Sequence, residues 1–123
     1  MQYEIHIFNT IFIENLSFNN GGALAMTSHL LNISKCQFIR NAASYGGSLY
    51  FFGSTFSLES EPRNISIDSS VFYMNLAVRY GGVIYTPISM ENFAVNFTNV
   101  YCFKNAAMVG GAISLSHYSG YFL

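Results

Sequence analysis

The sequence predicts an all-β chain wound as a single-stranded parallel β-helix, a solenoid of about four coils, and three observations lead there. One short phrase recurs four times: Phe12-Ile13-Glu14-Asn15 before Gly21-Gly22-Ala23-Leu24, Phe38-Ile39-Arg40-Asn41 before Gly46-Gly47-Ser48-Leu49, Phe72-Tyr73-Met74-Asn75 before Gly81-Gly82-Val83-Ile84, and Cys102-Phe103-Lys104-Asn105 before Gly110-Gly111-Ala112-Ile113. Self-similarity at this period is the mark of a repeat architecture. Apolar and polar residues alternate ahead of each Asn, and the units follow one another in one direction without hairpin signals, which implies parallel pairing between successive units.

Each coil opens on a strand. Its inward residues are Ile5, Ile7, Thr10 and Phe12; then Leu31, Ile33, Cys36 and Phe38; then Ile65, Ile67, Ser70 and Phe72; then Val95, Phe97, Val100 and Cys102. Residues between them, such as His6, Asn32, Ser66 and Asn96, are mostly polar and are expected to face water. The strand ends in a bend at Asn15, Asn41, Asn75 and Asn105. Stacked at one place in every coil, these amides can bond to one another and to backbone groups freed at the strand end, forming a structural ladder. The pairs Gly21-Gly22, Gly46-Gly47, Gly81-Gly82 and Gly110-Gly111 mark a corner that needs positive φ or close backbone approach. A second strand follows, with Leu24 and Met26, Leu49 and Phe51, Ile84 and Thr86, and Ile113 and Leu115 on one face.

The expected organisation is therefore one β-helix segment over residues 1–123, with coils at approximately 5–30, 31–64, 65–94 and 95–123. At about 4.8 Å per coil, equivalent residues stack over one another along roughly 19 Å.

The phrase FxxN followed by GGA[ILV] resembles the repeat pair of the chlamydial polymorphic outer membrane proteins over about residues 5 to 115. This chain departs from it at Cys102, in place of the motif Phe, and at Ser48 and Val83, in place of the motif Ala. The resemblance implies a right-handed parallel β-helix, surface placement and an adhesin passenger's role. Similar repeats occur among eukaryotic surface proteins.

Composition narrows the function classes. Half the residues are apolar and 9% are charged, which suits strands that bury one face along the whole chain and argues against disorder. With a net charge of −1 and basic residues spread singly (Lys35, Arg40, Arg63, Arg79, Lys104), no stripe exists to neutralise a nucleic-acid backbone. The apolar runs are too short for a helical membrane span, and residues 1–15 lack a basic-then-apolar leader.

Candidate sites are few. Register places Cys36 and Cys102 in adjacent inward columns two coils apart, on the order of 10 Å, so both are expected as buried free thiols. Of the four Asn-x-Ser/Thr sequons, Asn32 and Asn96 occupy the same outward strand position and Asn64 follows the Pro62-Arg63 turn at a loop edge. These three are candidate N-glycosylation sites in a secretory product, whereas Asn15 belongs to the inward ladder. His6, His29 and His117 have no metal-site spacing, and the acidic residues fall in different columns, so no catalytic, metal or cofactor site is expected. Glu14 and Arg40 share a column and are expected to pair. Tyr45 and Tyr80 form one aromatic column and Tyr50 and Tyr85 another, a candidate contact surface. Residues 55–64 are expected to bulge as a loop. Neither end of the array reads as a polar cap, so the natural neighbours are further coils or copies of the chain stacked end to end.

Three functions remain open at this point. The first is a non-catalytic structural segment of an extracellular or cell-surface protein, as in a fibre; the second is an adhesion module that uses the Tyr columns; the third is a fragment of a carbohydrate-active enzyme whose active site lies elsewhere.

Overall fold

The computed structural model describes residues 4–26, 30–51, 63–86 and 93–115. The chain is all-β with parallel sheets. The first unit contributes β1 (Glu4–Phe8), β2 (Ile11–Ile13) and β3 (Leu24–Met26). The second contributes β4 (Leu30–Ser34), β5 (Gln37–Ile39), β6 (Ala42–Tyr45) and β7 (Leu49–Phe51). The third contributes β8 (Arg63–Asp68), β9 (Val71–Tyr73), β10 (Leu76–Tyr80) and β11 (Ile84–Thr86). The fourth contributes β12 (Phe93–Thr98), β13 (Tyr101–Phe103) and β14 (Ile113–Leu115).

Corresponding strands of successive units pair side by side. The sheets run β1-β4-β8-β12, β2-β5-β9-β13 and β3-β7-β11-β14, with a two-stranded sheet of β6 and β10. Every pairing is parallel, and the three four-stranded sheets keep the motif in register: Phe12 beside Phe38 beside Phe72 beside Cys102, and Leu24 beside Leu49 beside Ile84 beside Ile113.

The sequence pattern reads the first strand of each unit as continuous, but it is two strands. Asn9, Lys35, Ser69 and Asn99 have φ between 51° and 54° and turn the chain after β1, β4, β8 and β12. A second left-handed residue (Glu14, Arg40, Met74 or Lys104) ends β2, β5, β9 and β13, so the bend lies one residue before the ladder Asn. Non-glycine residues pay roughly 1–2 kcal/mol for this conformation. Hydrogen bonds that continue from unit to unit through the corners offset it: Lys35 N–H donates to Asp68 O at 3.1 Å, and Arg40 N–H to Tyr73 O at 2.9 Å.

The core lies inside the sheets. Leu31, Ile33, Phe38, Leu49, Ile67, Phe72 and Ile84 are buried. The Phe12 and Phe38 rings stack at 4.8 Å and 7°, and Phe38 and Phe72 at 4.6 Å and 6°, matching the spacing of adjacent strands. Replacing Phe38 by Ala would leave a hole with rings above and below it, at a cost of about 3–5 kcal/mol.

Candidate functional site

The side chains that the units share lie between them. Asn41 Nδ2 donates to Asn75 Oδ1 at 3.0 Å and to Phe12 O at 3.0 Å, and its backbone N–H reaches the same Asn75 Oδ1 at 2.9 Å. Asn75 repeats this arrangement with Asn105 Oδ1 and Phe38 O, each at 2.9 Å. Asn15 Nδ2 gives its hydrogen to Asn41 Oδ1 at 2.9 Å, and Asn105 Nδ2 reaches Phe72 O at 2.9 Å. Asn41 and Asn75 are buried, whereas Asn15 is exposed, although its amide is bonded within the ladder.

The two glycines of each corner do different things. Gly21, Gly46, Gly81 and Gly110 hold φ of 60–65°, which L side chains rarely adopt. Gly22, Gly47 and Gly82 instead face the next unit: a Cβ on Gly47 would lie 2.2 Å from Gly82 O. Between Gly47 and Leu49, Ser48 stands where the motif has Ala, fully buried and with its Oγ unpartnered among the described residues.

Beside this corner the two tyrosine columns merge into one cluster. Ring centroids lie 5.8 Å apart for Tyr45–Tyr80, 5.5 Å for Tyr45–Tyr85, 5.3 Å for Tyr80–Tyr85 and 5.8 Å for Tyr50–Tyr85. Burial, and then Tyr45, push the Tyr50 phenol above its ordinary value, and burial followed by Tyr50, Tyr80 and Tyr45 does the same to Tyr85. The patch belongs to the two middle units. In the first unit Asn20 and Ala25 take the equivalent places, and in the fourth Val109 and Ser114 do. The alternating pattern identified each column, but the corner that brings them together is visible only in three dimensions.

The three candidate glycosylation sequons, those of Asn32, Asn64 and Asn96, lie on the β1-β4-β8-β12 sheet. Asn32 is half-buried, and Asn64 and Asn96 are exposed. Asn64 is the second residue of β8, and Asn96 Nδ2 donates to Asn64 Oδ1 at 2.8 Å. On the same sheet His6 contacts Glu4 at 2.9 Å, and Ser34 Oγ donates to Asp68 at 3.2 Å.

Several sequence expectations change in the structure. Cys36 and Cys102 are both free, but only Cys36 is buried. Cys102 is exposed because no unit among the described residues covers the far side of β13. Its partly apolar surroundings still push the thiol pKa up through burial. Apart from Gln37, the outward face of β2-β5-β9-β13 is apolar or aromatic. It carries Ile11, Ile13, Tyr101 and Phe103, all exposed, because the period-two pattern that buries Phe12 leaves Ile11 and Ile13 outside. Glu14 and Arg40 pair at 2.7 Å on the surface. No group of three His, Cys, Asp or Glu able to hold a metal occurs among the described residues, and no helix there is long and apolar enough to cross a membrane. His29, His117, Glu59, Glu61, Glu91 and residues 55–62 of the expected loop lie outside the described residues.

Comparison of the chain with protein-family models, curated proteins and solved structures gives no match.

Proposed function

We propose that this chain is a segment of a right-handed parallel β-helix serving as a non-catalytic structural part of an extracellular or cell-surface protein. The asparagine ladder carries the reading. The residues repeated from unit to unit, Asn and Gly in all four and Phe in the first three, are placed against their counterparts in the next unit. The repeated chemistry is therefore spent on stacking one unit on another. Right-handed winding follows the usual hand of parallel crossovers. The free outward positions are where such a protein meets its surroundings, with Asn32, Asn64 and Asn96 as sites for N-linked glycans.

Surface placement is tested with antibodies raised against the purified chain and applied to intact and to permeabilised cells making the full-length protein. Staining of intact cells supports the reading. Staining that appears only after permeabilisation overturns the placement.

A second reading, an adhesion module, is favoured by the Tyr45, Tyr50, Tyr80 and Tyr85 cluster, because half-buried aromatic rings present a rigid surface for sugar rings or a partner chain. Saturable cell or glycan binding that disappears in Tyr50→Ser/Tyr85→Ser, with the fold retained, would establish it.

A further inference from the structure

Tyr45 and Tyr80 close β6 and β10, and Tyr50 and Tyr85 are the middle residues of β7 and β11. Between them the chain turns at Gly46 and Gly81, whose φ of 65° and 64° folds each unit back on itself. The corner is tight: a Cβ on Gly81 would lie 3.1 Å from Tyr85 Cβ. Tyrosine is not demanded by the fold at these places, since Asn20 and Ala25 hold them in the first unit and Val109 and Ser114 in the fourth. Tyrosines elsewhere meet other side chains: Tyr73 packs on Phe103 at 5.0 Å, and Tyr101 lies opposite Val71. Four phenols are thus gathered at one place, in two units that the asparagine ladder already holds side by side.

Phenols held this close have a covalent reaction open to them under one-electron oxidation. Each of two rings gives up one electron and its hydroxyl proton. The two phenoxyl radicals join by a C–C bond between ring carbons ortho to the oxygens, and each of those carbons passes its hydrogen to its own oxygen, which restores both rings. With hydrogen peroxide as oxidant and a haem peroxidase as catalyst, the O–O bond breaks and takes up the two electrons and two protons as two waters. The reaction needs neighbouring phenols that an oxidant can reach, and all four rings are half-buried rather than sealed in the core.

We infer that the tyrosine cluster is a site of oxidative phenol coupling, in which Tyr85 bonds to Tyr45 and staples the third unit to the second. Tyr85 is the hub, with its ring centre 5.3 Å from Tyr80, 5.5 Å from Tyr45 and 5.8 Å from Tyr50. Tyr80 is nearest, but it belongs to the same unit and lies almost parallel, at 16°. Coupled rings are twisted about the new bond by their crowded hydroxyls, so the 32° tilt between Tyr45 and Tyr85 is nearer to the product. Tyr50 is tilted as well, at 41°, but stands further off. Adjacent strands are about 4.8 Å apart, so the carbons meet by turning side chains rather than by moving strands. The bond braces a chain whose two thiols, Cys36 and Cys102, are both free. This inference needs neither a ligand nor surface placement, and so goes beyond both readings above.

The test treats the purified chain, at low concentration and neutral pH, with a haem peroxidase and hydrogen peroxide, then reads dityrosine fluorescence, intact mass and linked peptides after reduction. A single chain two hydrogens lighter, carrying a Tyr45–Tyr85 linked peptide, is the expected product. Its thermal midpoint should rise by at least about 5 °C, because the bond closes a long loop in the unfolded chain. Tyr85→Phe keeps the ring and should melt like the untreated parent, but should give neither the linked peptide nor the rise. Tyr45→Phe should do the same from the other side of the bond, and Tyr101→Phe should behave as the parent. Dityrosine found only between chains, a bond confined to Tyr80 and Tyr85, or fluorescence that survives undiminished in Tyr85→Phe overturns the inference. None of these outcomes bears on surface placement, which the antibody experiment decides separately.

Discussion

Asn41 and Asn75 are separated by 34 residues in the chain, yet one oxygen joins them: Asn75 Oδ1 accepts both the backbone N–H and the side-chain Nδ2 of Asn41. A single carboxamide thus serves two donors in the unit before it. Its own nitrogen reaches Phe38 O in that unit and Asn105 Oδ1 in the unit after. The bend is held by its neighbours rather than by its own residues.

Removing such an amide is expected to cost more where it is enclosed. Asn75→Ala strands the Asn41 N–H and the Phe38 carbonyl in a buried place, at about 1–3 kcal/mol for each group, so a loss of about 3 kcal/mol or more is expected. Asn15→Ala, on the exposed side of the first unit, should lose about 1 kcal/mol. Urea midpoints at unchanged m-value would measure both.

At Ser48 the expected sign is opposite. Its Oγ is buried without a partner among the described residues, so Ser48→Ala removes an unpaired hydroxyl and restores the motif residue. A gain of about 1 kcal/mol is expected in the same urea titration.

The tyrosine cluster sets an alkaline limit. Tyr50 and Tyr85 have folded-state pKa values raised above 10.0, so the folded chain holds its phenolic protons more tightly than the unfolded chain does. That contribution is fully present below pH 10.0 and is lost as pH rises through the raised values. Thermal midpoints should fall above that pH. In Tyr50→Phe/Tyr85→Phe, which keeps the rings and removes the hydroxyls, the fall should be shallower.

Much of this architecture could be read from the residues. The Phe12, Phe38, Phe72 and Cys102 column and the Leu24, Leu49, Ile84 and Ile113 column follow from matching the four phrases, because equivalent residues of parallel neighbours must lie side by side. The split of each first strand also has a signal in the residues: Ile7 and Thr10 are three residues apart in a pattern of twos, and the extra residue is the left-handed Asn9. Strands β6 and β10 gave little sign, since Ala42-Ala43-Ser44-Tyr45 and Leu76-Ala77-Val78-Arg79-Tyr80 share neither length nor pattern and pair with a register shift. The exposure of Cys102 depends on what covers β13 from outside, which residue type does not encode. Arg63 reads as a turn after Pro62 but begins β8, because Phe93 lies opposite it across the ladder.

The two thiols are expected to separate cleanly. Iodoacetamide should modify Cys102 in the native chain and leave Cys36 until denaturant is added, since Cys36 is buried beneath the Ile7 and Ser34 carbonyls. Because burial raises the Cys102 pKa above 9.0, its alkylation near neutral pH should be slower than that of a free cysteine. Peptide mass spectrometry with and without denaturant would check both points.

Sequon use provides the last expectation, and it turns on the nitrogen rather than on exposure. Asn15, Asn64 and Asn96 are all exposed residues, so accessibility alone would allow a glycan on each. Their Nδ2 atoms differ in what they do. Asn15 Nδ2 donates to Asn41 Oδ1 at 2.9 Å across two units, and Ser17 Oγ of the same sequon accepts the Asn19 N–H at 3.2 Å. A sugar on that nitrogen would have to enter the gap between adjacent strands, about 4.8 Å wide, and would break the ladder. Asn64 and Asn96 bond to each other on the outward face of β8 and β12 at 2.8 Å, and losing that exposed contact costs little. In a chain secreted from eukaryotic cells, site-by-site glycopeptide analysis should find glycan on Asn32, Asn64 or Asn96 and none on Asn15. Full occupancy of Asn15 in folded, secreted protein would mean that its amide points away from Asn41 and that the ladder does not extend into the first unit.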